Sequence, residues 1–193
     1  MATKPIVICG EPVLRKKARP VREIGQEIVD LFACMVETMV EANGLGLAAP
    51  QVGQPLQAIV VRADDEEEEP VHCLLNPKLV SGEGEQRGRE GCLSLPTLYG
   101  HVVRPERVVV RGLTPAGEET LIEAEGLLAR AFLHEIDHLR GVLFTDLVLE
   151  DSLVWMVPDK DEEEGYRYEG TTMAEAQAAF DRLRAKRERE PGK

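Results

Sequence analysis

The sequence predicts an α+β fold in which mostly antiparallel strands wrap around one central helix bearing His134, Glu135 and His138, with a further helix towards each end. Three observations lead there. Apolar residues recur three and four apart in three separate segments, β-rich runs are joined by short turn-like links, and the composition suits one core. The chain has 193 residues, 43% hydrophobic and 30% charged, which fits a single folded domain over 1–193 and excludes disorder as the dominant state. With four Phe, three Tyr and one Trp, the interior is built mainly from aliphatic side chains, and a base-stacking groove for nucleic acid is not supported. Lys and Arg number 23 against 35 Asp and Glu, a formal charge of −12. That charge repels a phosphate backbone and argues against DNA binding.

The segment Met1–Gly10 is too short in its apolar run to act as a secretory signal, and no later stretch reaches membrane-spanning length. A cytoplasmic protein without a membrane partner is therefore expected. Cys9, Cys34, Cys73 and Cys92 are widely spaced and form no CxxC pair, so neither a disulfide framework nor a cysteine-only zinc clip is indicated.

The first helix is expected over Glu23–Ala42, where Ile24, Ile28, Leu31, Met35 and Met39 share one face and Gly44 follows as a stop. The stretch Gly44–Gly53 is too rich in Gly and Pro for regular structure and too apolar for an ordinary exposed loop, so it should lie against something. Strands are expected over Gln57–Val61 and Val71–Val80. The acidic tip between them, 63–70, holds the six charges of Asp64–Glu69, half of the net charge, and reads as a solvated hairpin end.

Val102–Leu113 and Glu119–Glu123 read as antiparallel strands around the turn Thr114–Gly117. Gly126–Arg140 follows as a helix without internal Pro, with Arg140 suited to its negative end and Gly141 as a stop. A second acidic tract, Asp161–Glu164, is low in complexity. The last element, within 171–193, opens on a capping box of Thr172 and Glu175, and Met173, Ala176, Phe180 and Leu183 form its apolar stripe. Arg182, Arg184, Lys186, Arg187 and Arg189 cluster on this helix; the simplest reading is a solvated face paired with Glu188 and Glu190.

The chemistry is concentrated in His134-Glu135-Ile136-Asp137-His138. A spacing of four residues turns a helix by about 400°, so both imidazoles leave one face within metal-chelating reach. Glu135 lies beside that direction, placed to accept a proton from an activated water. Two surface histidines on a solvated helix would give the same pattern. Against that stand Phe132, Leu133 and Leu139, which make the face partly apolar, where paired imidazoles without a cation or hydrogen-bond partners are costly. A catalytic metal needs a third protein ligand and an open position. The candidates are His72, His101, a carboxylate or a cysteine. Cys92, in Glu90–Pro96 just after Gly91, is the best placed, although a lone cysteine is more often a small buried hydrophobe.

Taken together, Gly44–Gln51 (GLGLAAPQ), Glu90–Ser94 (EGCLS) and His134–His138 (HEIDH) resemble, in order and separation, the three signature segments of the peptide deformylases. The resemblance runs from about Pro5 to Asp146 and includes the opening Gly10–Arg15. It implies hydrolysis of the formyl group from the N-terminal methionine of new polypeptides, releasing formate. The implied ligands are Cys92, His134 and His138 on one divalent ion, Fe2+ in the first place, with Zn2+, Ni2+ and Co2+ also accepted by such donors. A thiolate with two neutral imidazoles leaves the site a net single positive charge, enough to acidify water. Glu135 is implied as the base that later returns the proton to the leaving amine. The Gln51 side-chain amide and the Leu93 backbone N–H are implied as oxyanion donors.

The same resemblance places the extended substrate along Gly44, Leu45 and Gly46, and its methionine side chain near Gly91 and Ala131. Phe132 and Leu128 are further lining candidates, with ordinary core packing as the competing reading. Asp137 is open between fixing an imidazole and pairing with a cation such as Arg104. Arg104 fits the family's cationic positions near the substrate main chain, while Tyr99 stands where a basic residue is common and Leu133 where Gln is common. His72 and His101 are left as structural residues. N-formyl-Met peptides and nascent chains are the implied partners, with the ribosome a further one through the basic last helix. Two rivals remain. A zinc endopeptidase would take its third ligand from a later His or Glu, and a binding module would close its metal with a fourth protein ligand.

Overall fold

The computed structural model describes residues 3–62 and 70–189. After a 3₁₀ turn at Pro12–Arg15 come α1 (Gln26–Glu41), β1 (Gly46–Ala48), a 3₁₀ turn at Ala49–Val52, β2 (Ala58–Val61) and β3 (His72–Glu83). Next are β4 (Gln86–Cys92), β5 (Leu95–Arg104), β6 (Arg107–Leu113), β7 (Glu119–Glu125) and α2 (Gly126–Arg140). The chain continues through β8 (Val154–Pro158), β9 (Tyr166–Gly170) and α3 (Met173–Arg189). The strands form two antiparallel sheets, in the orders β1-β2-β3-β6-β7 and β4-β5-β8-β9. This is the α+β arrangement expected.

The five-stranded sheet is covered on both faces. Ile59 and Val61 of β2 point to α2 and pack with Leu74, Val110, Phe132 and Ile136. Their neighbours Ala58 and Val60 point the other way, to Phe32, Met35 and Met39 of α1. A strand buried on both faces reads as a continuous apolar run, which is what Ala58–Val61 is. A third core, beneath the second sheet, joins Leu95, Leu98 and Val102 of β5 to Ala176 and Phe180 of α3. At the start of α3 the capping box forms: Thr172 N–H donates to Glu175 Oε2 at 2.9 Å, and Glu175 N–H donates to Thr172 Oγ1 at 3.3 Å.

Several expectations need correction. α1 starts at Gln26, after Gly25, so Ile24 lies outside it and is exposed. Gly44–Gly53 is not irregular: Gly46–Ala48 is an edge strand paired in register with Val61–Ile59, because small residues let the chain pass close to α2. Val102–Leu113 is two strands in different sheets, broken at Pro105. The sequence reading missed β4, β8 and β9; the glycines and charges of β4 and β9 break any apolar alternation, while β8 is a run of only four apolar residues ended by Pro158. Leu133 joins the core against α2's sheet, as a Leu replacing a polar residue should. Met173 of the α3 stripe is exposed.

The acidic tip falls within 63–69, outside the described residues; its flanks Val61 and His72 are paired in the β2–β3 hairpin. The suggested pairs to Glu188 and Glu190 rest on one side chain that is not described and on one residue outside the described range. Asp161–Glu164 lies exposed in the link between β8 and β9. Among the described residues no helix is long and apolar enough to cross a membrane.

Candidate active site

α2 runs uninterrupted to Arg140, and Gly141 adopts the left-handed conformation (φ 77°) that ends it. The helix buries His134, Glu135 and His138, with His134 and His138 facing Glu90 and Cys92 of β4 in the second sheet and Glu135 facing Gly46 of β1 in the first. Cys92 sits at the end of β4, where the tight turn into β5 pairs Cys92 with Leu95. The donor atoms of Cys92, His134 and His138 lie within 4.8 Å of one another, with Cys92 Sγ 3.2 Å from His138 Nε2. One soft sulfur and two imidazoles converging on a shared centre fit a divalent transition metal. Among the described residues no other group of three such donors converges. His72 instead packs against Phe132 at 5.6 Å, and His101 lies in β5.

Glu90, which the sequence reading left without a role, organises the site. Its Oε2 lies 2.9 Å from His134 Nδ1 and accepts from Arg104 Nη2 at 3.0 Å; its Oε1 accepts from Arg104 Nε at 2.9 Å and Arg130 Nη1 at 2.8 Å. Asp137 is taken by Arg104 and does not fix an imidazole. Arg104 is itself buried in this network, away from the cavity, so it does not serve the substrate main chain as its position suggested. A signal existed in the acid two residues before the candidate ligand, between glycines 88 and 91, but nothing local says which cations reach it.

The network sets the protonation states. Burial alone would raise the Glu90 carboxyl, but hydrogen bonds from His134 and Arg104, and their charges, hold it well below the usual carboxylate range. Burial likewise disfavours a charged His134, yet its contacts with Cys92 and Glu90 overrule this and push it well up. His138 is pushed well down, first by burial and then by the neighbouring His134 and Arg104. Burial pushes Glu135 up to about 7. Glu135 Oε2 and His138 Nδ1 are buried and find no hydrogen-bond partner among the described residues.

A cavity of about 430 Å³ opens beside these groups. The expected residues Gly44, Leu45, Gly46, Gly91 and Ala131 line it, together with Gln51, Cys92, Leu93, His134 and Glu135. Phe132 and Leu128 do not; both pack in or against the core. Leu127 and Arg89, not foreseen as lining residues, do, as does Tyr99, which the resemblance had set near the substrate main chain. Gln51 is fixed by the Ala48 N–H, which donates to its Oε1 at 2.7 Å, so that its Nε2 points to Ser94 Oγ (3.3 Å) and Cys92 Sγ (3.5 Å). Two glycines are required by close approach. A methyl at Gly46 would lie 2.8 Å from Glu135 Cγ, and one at Gly91 would lie 2.8 Å from Tyr99 Cδ1. The site therefore combines a cluster of three donors that could hold a metal, a buried carboxyl raised towards neutrality and a side-chain amide beside one cavity, an arrangement that suits hydrolysis of a small carbonyl group.

Comparison with known proteins gives a consistent picture. A family model described as polypeptide deformylase matches residues 3–152. The chain is 48% identical to a peptide deformylase of Carboxydothermus hydrogenoformans over 146 residues, 76% of this chain and 93% of that one. It is similar in structure to a peptide deformylase from Legionella pneumophila (TM-score 0.78, 33% identity, covering 98% of this chain and all of that one). Similarity extends to a peptide deformylase from Synechococcus elongatus in complex with actinonin (TM-score 0.72, 42% identity, 77% of this chain and 84% of that one).

Proposed function

The chain belongs to the peptide deformylase family, a metal-dependent hydrolase family that removes the N-formyl group from the methionine of new polypeptides, and from that premise we propose how its own residues divide the work. Cys92, His134 and His138 hold one divalent ion, Fe2+ in the cell, although the same donors accept Zn2+, Ni2+ or Co2+. When bound, the ion supplies a Lewis acid that acidifies water and polarises the formyl carbonyl. The observation that carries this reading is the convergence of the three donor atoms within 4.8 Å at the wall of the cavity that also presents Glu135 and Gln51.

Among the described residues β1 is the edge of its sheet and pairs with β2. The substrate main chain lies extended along Gly44, Leu45 and Gly46, which offer backbone donors and acceptors with little side chain in the way. The methionine side chain enters the cavity between Gly91 and Ala131. Glu135 takes the proton of the attacking water and later delivers it to the leaving amine; its burial keeps the carboxyl basic enough for the first step and acidic enough for the second. The Gln51 Nε2 and the Leu93 N–H donate to the developing oxyanion. Glu90 holds His134 in one orientation and leaves its other nitrogen for the ion.

The presence of Cys92 in the cluster favours this reading over an endopeptidase with a later third ligand, and the open cavity favours it over a closed structural site. The substrates are N-formyl-Met peptides and nascent chains, met in the cytoplasm. Arg182, Lys186, Arg187 and Arg189 are exposed on α3 and supply a cationic face for the ribosome. The deciding measurement is formate release from formyl-Met-Ala-Ser by protein purified without air, with metal content determined on the same sample. Replacing Glu135 by Gln is expected to abolish turnover and keep the metal; near-normal activity would overturn the assignment of the base. For the ribosome, reversing the α3 charges is the proper variant, because truncation would remove the buried Ala176 and Phe180. Unchanged co-sedimentation after charge reversal would remove that partner.

A further inference from the structure

The cavity does not end at the methionine site. Arg89 and Gly91 alternate on one face of β4, and Gly91 pairs with Tyr99 of β5. Tyr99 in turn pairs with Val154 of β8, which pairs with Gly170 of β9, two residues from Tyr168. Period-two alternation therefore places Arg87, Arg89, Tyr99 and Tyr168 on a single sheet face. The side chains meet there: the Arg89 guanidinium lies 3.9 Å over the Tyr168 ring, and Tyr168 packs edge-on against Tyr99 at 6.0 Å. Arg89 and Tyr99 also line the cavity, so the platform is continuous with it. Tyr168 comes from a hairpin beyond residue 152, where the family match ends.

Charge distinguishes this platform. Of the two arginines lining the cavity, Arg130 is occupied by Glu90. Arg89 is exposed, and among the described residues no carboxylate pairs with it. On a chain of net charge −12 this is a local positive spot, held in place by stacking on an aromatic ring. Building on the deformylase reading, we propose that Arg89, braced by Tyr168 and supported by Arg87, is a specificity-determining residue that favours an acidic side chain among the residues following the formyl-methionine. An exposed guanidinium acts on binding throughout the reaction, so the effect falls mainly on KM.

The test compares formate release from formyl-Met-Asp-Ala-Ser and formyl-Met-Ala-Asp-Ser with their Lys counterparts. At one of the two positions the Asp peptide is expected to exceed the Lys peptide in kcat/KM by about two- to five-fold at low ionic strength, the range of a surface ion pair, and the ratio should shrink in high salt. Arg89→Gln brings the ratio towards one and Arg89→Glu inverts it, while Tyr168→Leu weakens it by releasing the guanidinium. Equal rates on Asp and Lys peptides in the unaltered enzyme, or a preference that survives Arg89→Gln, would overturn the proposal. Formyl-Met-Ala-Ser in the same assay reports deformylation itself, so loss of that signal would count against the family activity and not against this selectivity.

Discussion

Glu90 Oε2 lies 2.9 Å from His134 Nδ1 across 44 residues of sequence, so one imidazole of the three-donor cluster is oriented from the neighbouring sheet and not from its own helix. The same carboxylate binds two buried arginines. Replacing Glu90 by Gln removes the charge that Arg104 and Arg130 both face. A loss of about 3–5 kcal/mol of stability is expected, as for other buried pairs broken on one side. Metal affinity should fall by about 10- to 100-fold. Thermal unfolding and metal competition titration measure the two effects separately.

The acid limit of stability has the same origin. Glu90 is ionised in the folded chain at pH values where an unfolded Glu, of pKa about 4.3, begins to take a proton. Its contribution is thus fully present above the unfolded value and is lost as pH falls through the folded one. Unfolding followed by circular dichroism from pH 6 to 2 should show a steeper loss below pH 4 in the parent than in Glu90→Gln.

Activity should show its own acid limb. Glu135 works as a base only when ionised, so kcat/KM rises with pH through its pKa. Burial pushes that value up to about 7, and positive charge at the Cys92–His134–His138 cluster draws it down. The limb is therefore expected at or below pH 7. A rate that rises through pH 9 with no plateau would point to a different base.

Gly46 is the most exacting of the cavity glycines. A methyl group there would lie 2.8 Å from Glu135 Cγ and must push the carboxylate aside. Because a displacement of about 1 Å at a catalytic group costs up to about 100-fold in rate, Gly46→Ala should lower kcat by about 10- to 100-fold with metal content unchanged. Parent-like kcat would show that the Glu135 side chain has room to yield.

What the sequence reveals and what it hides follow one physical division. α2 is legible from end to end because its period, Arg140 and Gly141 are local signals, and the cluster of His134 and His138 is a local consequence of helix geometry. Cys92 is singled out by the glycine before it but is set beside the histidines by the ordered family segments alone, since nothing near residue 92 reports that residue 138 lies beside it. Glu90, Arg104, Arg130, His134 and Asp137 interlock over separations of 14 to 44 residues, beyond the reach of any local pattern. β4 and β9 escape detection because their charges and glycines serve the site and the surface and not a buried face. Phe132 shows the opposite error, an aromatic near the ligands that faces the core.

The free margin of β1 extends for only three residues, Gly46–Ala48. So short a template gives a stray partner, including a second copy of this chain, too few amide contacts to persist. Brevity at this rim thus acts as protection against self-adhesion.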